Sequence, residues 1–222
     1  MEQLGPYVLE ARIARGGMGE IYRASLVRSA GFQRTVALKR ILPHLSDDAT
    51  FIRMFETEAR LTALLNHPNI VHMYDFGRDD GTVWLAMEFV NGIDLRRLHD
   101  ACTADGEPLP IGLALHIVEQ CARGLHYAHT LIGTNGPLQI VHRDISPQNI
   151  MVSIQGETKL TDFGLAKALA ADPGSMSGMM KGKLGYMAPE QVQGAKITPK
   201  TDIFGLGAVL YELVSGRRVY PV

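Results

Sequence analysis

The chain has 222 residues and is 46% hydrophobic, enough for one large domain or two small ones around a sizeable core. Basic residues number 22 and acidic residues 23, and the net charge of -1 gives no electrostatic case for nucleic acid or an anionic membrane as partner. Cys102 and Cys121 are the only cysteines and form neither a metal-ligand spacing nor a disulfide framework; with no basic-then-apolar leader and no apolar stretch long enough to cross a bilayer, the expected setting is the reducing cytoplasm.

In chain order, YVLEARIA and GEIYRASLV read as a hairpin around a Gly-rich turn, and RTVALKRI as a third strand. Ser46 is the expected N-cap of a helix running toward Asn66, with Asp47 and Asp48 in its first turn and Pro68 as the stop. Phe51, Phe55, Glu58 and Thr62 share one stripe of that helix, being four, three and four apart. IVHMYDFG and TVWLAMEFV are two further strands, and after NGID the chain turns helical. A long helix, IGLALHIVEQCARGLHYAHTL, follows the Pro-rich GEPLP. GTNGPLQ reads as a turn, NIMVSI and ETKLTDFG as a short hairpin, and KTDIFGLGAVLYELVSG as a last helix. No internal repeat or low-complexity tract interrupts this order. A β-rich part joined near Asn91 to a helical part predicts an α+β fold of two lobes, 1–90 and 91–222, with the cleft between them as the place for a ligand.

Several stretches carry chemistry. In ARGGMGEIY the glycines let backbone N–H groups approach phosphate oxygens, although such a loop alone is equally a flexible hairpin tip. Lys39 follows Val36, Ala37 and Leu38 on an apolar strand, where a buried cation needs a partner; Glu58 is the candidate, and a solvated surface charge is the ordinary alternative for each. In HRDISPQN, Asp144 and Asn149 stand five apart across a loop that Pro147 is expected to keep from being helical. An acid and an amide oxygen there suit proton acceptance and a hard cation. Asp162 precedes Gly164 and adds a second carboxylate for Mg²⁺, although Asp, Asn, Pro and Gly also favour plain turns.

Taken in order, the Gly-rich loop, VALK, Glu58, HRDISPQN, DFG and MAPE resemble the eukaryotic-like protein kinases, most closely their bacterial Ser/Thr members. The resemblance implies a bilobal kinase fold and transfer of the ATP γ-phosphate to protein hydroxyls, with Mg²⁺, or Mn²⁺ as the alternative ion. It implies that the loop Ile13, Ala14, Arg15, Gly16, Gly17, Met18, Gly19 and Glu20 covers the phosphates. Lys39 would hold the α- and β-phosphates and pair with Glu58. Asp144 would accept the hydroxyl proton, and Asn149 and Asp162 would bind the metal. Ile21, Ala37 and Met151 would sandwich the adenine. Glu88 and Val90 would offer it backbone groups, Met87 would guard the pocket behind it, and Asp94 would touch the ribose. Arg143 would pair with a phosphorylated activation loop, whose candidate sites are Ser175 and Ser177, and Asp202 would anchor the catalytic loop.

The chain departs from that pattern in four places. Ala14 replaces the first glycine of the loop, which is tolerable at negative φ. Ser146 stands where the catalytic loop carries a lysine, and Lys183 stands where the segment before MAPE carries a threonine. The two functions are expected to be exchanged, with Lys183 reaching Asp144 and Ser146 taking the hydroxyl's role, because developing phosphoryl charge has to be met by a fixed cation. The helices that normally follow the last one are expected to be lacking. Glu190 would then be without its usual arginine, and a partner or a second copy would cover the incomplete lobe. Two other readings fit parts of the pattern: a small-molecule phosphotransferase, against which Arg143 and MAPE argue, and an inactive kinase-like binding module, against which Lys39, Asp144, Asn149 and Asp162 argue.

Overall fold

The structure is a computed structural model that describes residues 2–16, 19–27, 33–42, 45, 49–104, 106, 108–134, 136–163 and 183–220, without the side chains of residues 27, 49–51, 54 and 58. The chain divides into two compact units, one of Met1–Asn66 and Val71–Val90, the other of His67–Ile70 and Asn91–Val222.

The first unit is a six-stranded antiparallel sheet in the order β1-β2-β3-β4-β6-β5, formed by β1 (Gln3–Leu4), β2 (Tyr7–Arg15), β3 (Gly19–Val27), β4 (Gln33–Ile41), β5 (Met73–Asp79) and β6 (Thr82–Glu88). Alternation along the strands sorts its two faces. Tyr7, Leu9, Ala24, Val36, Leu38, Trp84 and Ala86 form a core on one face, with the Tyr7 ring set edge-on to Trp84 at 5.3 Å. Lys39 lies opposite Ile21 and Leu85, and Ala37 opposite Arg23 and Met87, so all of these belong to the other face. Helix α1 (Ala49–Thr62) packs on that second face through Phe55, whose ring meets Phe76 at 5.8 Å. Ile52, Phe55 and Ala59 are its buried stripe. The helix ends four residues before Asn66; Ser46, Asp47 and Asp48 lie outside the described residues.

The second unit is built on α2 (Leu95–Thr103), α3 (Ile111–Thr130) and α5 (Pro199–Ser215), with the short α4 (Pro189–Val192) between them. Helix α3 buries Ala114, Ile117, Cys121, Leu125 and Ala128 at three- and four-residue spacing, and it packs on α5. Pro199 opens α5 where its missing N–H costs nothing, and Gly216, at φ 68°, ends it with its N–H on the Glu212 carbonyl at 2.9 Å. A three-stranded sheet, β7 (Gly92–Asp94), β10 (Ile150–Ser153) and β11 (Thr158–Leu160), lies in the order β11-β10-β7. NGID is therefore partly strand, because Gly92, Ile93 and Asp94 pair with Ser153, Val152 and Met151. GTNGPLQ is more than a turn: β8 (Ile132–Gly133) and β9 (Gly136–Pro137) pair across it. His67–Ile70, read from sequence as part of the first lobe, belongs to this unit. Asn69 accepts from Leu160 N–H at 2.9 Å and donates through Nδ2 to the Thr158 carbonyl at 3.0 Å.

One ion pair lies deep in this unit. Glu212 of α5, 4% exposed, accepts two hydrogen bonds from Arg96 of α2, at 2.9 and 3.1 Å, and another from the Tyr186 hydroxyl. Arg218, at 3.6 Å and a third exposed, is a weaker partner. Removing Arg96 leaves a buried carboxylate nearly alone, so Arg96→Ala is expected to lower unfolding free energy by about 3–5 kcal/mol in urea titration. The exposed pair Arg123–Glu119 is the control, since Arg123→Ala changes stability by no more than about 0.5 kcal/mol.

Candidate active site

The catalytic loop is held by a carboxylate at the start of α5. Asp202, 1% exposed, accepts from the backbone N–H of His142 at 2.8 Å and of Arg143 at 2.7 Å, and from His129 Nε2 at 2.7 Å. The two backbone bonds hold Arg143 at φ 66°, a left-handed conformation uncommon for a residue with a side chain. Its carbonyl is fixed as well, accepting from Gln191 Nε2 at 2.8 Å. His142 is fully buried, and burial lowers its pKa, which keeps the ring neutral. Its Nδ1 accepts from Asp144 N–H at 3.2 Å, so its Nε2–H donates to the Thr161 carbonyl at 3.0 Å.

Asp144 is thereby set at the end of a rigid turn. Asn149 Nδ2 donates to its carbonyl at 2.7 Å and to its Oδ2 at 2.8 Å. Lys183 Nζ reaches the same Oδ2 at 2.6 Å. Pro147 does not exclude helix here: residues Pro147–Asn149 form a 3-10 turn, because proline in the first helical position lacks only an N–H that has no partner there anyway. Ser146 is wholly buried, and its hydroxyl has no hydrogen-bond partner among the described residues. The backbone of Asn149 continues toward the second carboxylate, accepting from Thr161 N–H at 3.0 Å. Asp162 follows at φ 57°, and Phe163 packs its ring 4.5 Å from His142. With Nδ2 of Asn149 turned to Asp144, its Oδ1 is the atom suited to a cation. No cluster of three or more His, Cys, Asp or Glu gathers among the described residues. One carboxylate plus one amide oxygen is instead the sparse donor set that Mg²⁺ accepts when phosphate and water complete its shell.

In the first unit the Gly-rich turn closes with Gly16 N–H on the Gly19 carbonyl at 2.8 Å; Gly17 and Met18 lie outside the described residues. Gly19 has a packing reason beyond any ligand, since a Cβ there would sit 2.4 Å from the Arg40 carbonyl oxygen. Ala14 lies in the extended β2 opposite Ile21, where its Cβ is tolerated. Ile13 and Arg15 are exposed. Ile21, Ala37 and Lys39 are half-buried and share a sheet face with the buried Met87. Glu58 lies in α1, and its side chain is outside the described residues. Glu88 N–H is committed to the His72 carbonyl at 2.8 Å, and Val90 is half-buried just beyond β6.

Two residues assigned to the nucleotide from sequence have partners inside the protein. Glu20 carries Arg40 at 2.7 Å, Arg12 at 3.0 Å and the Tyr22 hydroxyl at 3.0 Å. The Arg40 hydrogen bond, then that of Tyr22, draws its pKa down to about 2. In the second unit, Asp94 caps α2, accepting from Arg97 N–H at 2.9 Å, and its neighbour across the sheet is the half-buried Met151. Ser175, Ser177 and Gly164 lie outside the described residues. Glu190 has its carboxylate on the Thr201 hydroxyl at 2.6 Å, which lowers its pKa. Sequence reasoning did not foresee the Arg96–Glu212–Tyr186 cluster or the His129 contact to Asp202. Their only trace in the sequence is an Arg, a Glu, a Tyr and a His, with no local spacing that pairs them.

The comparisons with known proteins agree with this geometry. The protein kinase domain family matches residues 7–222, and the chain belongs to that family. Among curated proteins it is 42% identical over 221 residues to the tyrosine-protein kinase MasK of Myxococcus xanthus, covering 99% of this chain and 34% of that protein. It is 40% identical to the serine/threonine-protein kinase PknA of Mycobacterium tuberculosis over 97% of this chain and 48% of that protein. PrkC of Bacillus subtilis, a serine/threonine-protein kinase, is 39% identical over 96% of this chain and 31% of its own length. The chain thus spans about a third to a half of these relatives. The crystal structure of the M. tuberculosis PknI kinase domain matches 99% of this chain and 78% of that one, with a TM-score of 0.75 at 29% identity. The fold is that of a protein kinase, a β-sheet unit and a helical unit, and the family uses ATP and a divalent metal.

The Glu20 cluster makes stability depend on pH in a definite direction. A carboxyl whose folded pKa is drawn from 4.5 to about 2 adds stability above its unfolded value, which is lost as pH falls through that interval. Urea titrations between pH 6 and pH 2 are expected to show a shallower acid-side loss for Glu20→Gln than for the unmodified protein.

Proposed function

We propose that this chain is the catalytic domain of a protein kinase that transfers the γ-phosphate of ATP to serine and threonine hydroxyls of proteins, its own activation segment included. The observation that carries this reading is the Asp144 carboxylate, buried and hydrogen-bonded by Asn149, on a loop whose Asn149 carbonyl is tied to Thr161 beside Asp162. That arrangement supports reading Asp144 as the proton acceptor and Asn149 and Asp162, at either end of the β10–β11 hairpin, as oxygen ligands for Mg²⁺ or Mn²⁺. The metal, when bound, would neutralise charge on the nucleotide phosphates. Lys39 would hold the α- and β-phosphates with Glu58 as its partner. Ile13 to Glu20 would cover the phosphates, Ile21, Ala37 and Met151 would sandwich the base, Glu88 and Val90 would offer it backbone groups, and Met87 would guard the pocket behind it. Ribose contact by Asp94 would have to share a carboxylate already capping α2.

Serine or threonine is preferred to tyrosine because PknA and PrkC carry that specificity in their names, while MasK is named a tyrosine kinase. The exposed Arg143 suits a phosphorylated Ser175 or Ser177. Free Cys102 and Cys121 suit a cytoplasmic setting, and no described helix is long and apolar enough to cross a membrane. Ile203, Tyr211 and Val214, exposed on α5, support a covering surface from a second copy or another segment. The test is ATP-dependent labelling of a generic protein substrate with phosphoamino-acid analysis. The unmodified protein is expected to label serine and threonine. Asp144→Asn should lose at least about 10²-fold in kcat, the lower range for general-base catalysis, with calorimetric Mg·ATP affinity within threefold. Label on tyrosine alone would reassign the acceptor, and an Asp144→Asn protein as active as its parent would reject the reading.

A further inference from the structure

We infer that Lys183, from the segment leading into α4, is a catalytic residue of this kinase: its ammonium is the fixed cation beside the transferring phosphoryl group, in place of a cation from the catalytic loop itself. The inference rests on the kinase reading above and deepens it. Its basis is a juxtaposition of two positions. Lys183 Nζ lies 2.6 Å from Asp144 Oδ2, with Asp144 nearly buried and the lysine side chain 29% exposed. On the catalytic loop, Ser146 is 0% exposed and its hydroxyl meets no partner among the described residues. Position 146 thus carries no charge and, among the described residues, no hydrogen bond, while the charge stands on Asp144 from outside the loop.

The lysine is not placed by a loose tail. Lys183 opens the 3-10 turn Leu184–Tyr186. Three residues on, the Tyr186 hydroxyl is bound to Glu212 and Arg96, and Gln191 holds the Arg143 carbonyl at 2.8 Å. An ammonium fixed in this way needs no reorganisation when charge develops, which is where electrostatic catalysis gains most. In the step, the acceptor hydroxyl oxygen bonds to the γ-phosphorus and its proton passes to the Asp144 carboxylate. The bond from that phosphorus to the β–γ bridging oxygen breaks, and its electron pair stays on the departing ADP. Lys183 keeps all its protons and acts through charge alone.

The experiment compares the unmodified protein with Lys183→Ala, Lys183→Arg and the nearly isosteric Lys183→Met, the last keeping the test open should Lys183→Ala fail to fold. Two readouts are taken on each: kcat for protein labelling, and calorimetric affinity for Mg·ADP with and without tetrafluoroaluminate, a mimic of the transferring phosphoryl group. Lys183→Ala is expected to lose about 10²-fold in kcat, the scale of one preorganised electrostatic partner. It should lose at least tenfold of the affinity gained on adding tetrafluoroaluminate, while Mg·ADP alone binds within threefold of the parent. Lys183→Arg, which keeps the charge, should retain more of both than Lys183→Ala. Folded Lys183→Ala or Lys183→Met within threefold of the parent on both readouts overturns the inference and leaves the kinase reading standing. Parent protein that takes up no Mg·ADP overturns both.

Discussion

The functional half of this molecule depends on one buried carboxylate. Among the described residues Asp202 has only the His129 ring at salt-bridge distance, yet it stays in the interior of the helical unit because three donors converge on it. A buried charge survives only when its lone pairs are met, and here two of the donors are backbone N–H groups of the loop it positions. The same bonds that make the carboxylate tolerable thus fix the loop. Because α5 is packed on α3, the anchor is tied to that helix pair.

That anchor carries backbone strain. Arg143 and Asp162 both take left-handed conformations, each costing on the order of 1–3 kcal/mol, and they flank the residues with chemistry to do. Arg143 is held at its N–H by Asp202 and at its carbonyl by Gln191, so relaxing it would break hydrogen bonds on both sides. The outcome is an Asp144 whose direction is set by backbone geometry on one side and by Asn149 on the other. Neutral His142 links this loop to the next, reaching the Thr161 carbonyl just before Asp162. The two acidic positions are therefore coupled through hydrogen bonds rather than held by adjacent rotamers alone.

How much of this was legible in the sequence follows from where each partner lies. Helices α3 and α5 are read to within a residue or two because their signals are local: apolar spacing, Pro at the start, Gly at the stop. Gly92 to Asp94 was missed as strand because its partner, β10, lies almost sixty residues on, and nothing in NGID announces it. Pro147 was read through its cost in a helix interior, whereas the first position of a 3-10 turn carries no such cost. Glu20 and Asp94 look like ligand contacts in a motif. Folding also gives them internal partners no motif announces, a guanidinium cluster for one and a helix N-terminus for the other. Glu212, written in the sequence as one acid in YELVSG, is indistinguishable there from a surface charge until Arg96 and Tyr186 are brought to it.

Lys183 is the case in which a departure from a pattern was more informative than agreement with it. A lysine missing from one position and present at another says only that charge has moved along the chain. Where the charge ends up depends on residues outside any motif. The stretch from Lys183 to Gln191 is fastened to α2 and α5 through Tyr186, and to the catalytic loop through Gln191. Its ammonium is therefore positioned by the helical unit, not by the loop that bears Asp144. In such an arrangement the Asp144 carboxylate and the cation beside it belong to separate pieces of chain, and the buried Arg96–Glu212 pair that holds Tyr186 sets their registration. A buried ion pair adds little to stability over an apolar packing of the same volume. Its directional hydrogen bonds give something apolar side chains lack, a fixed bearing for the segment that delivers the lysine.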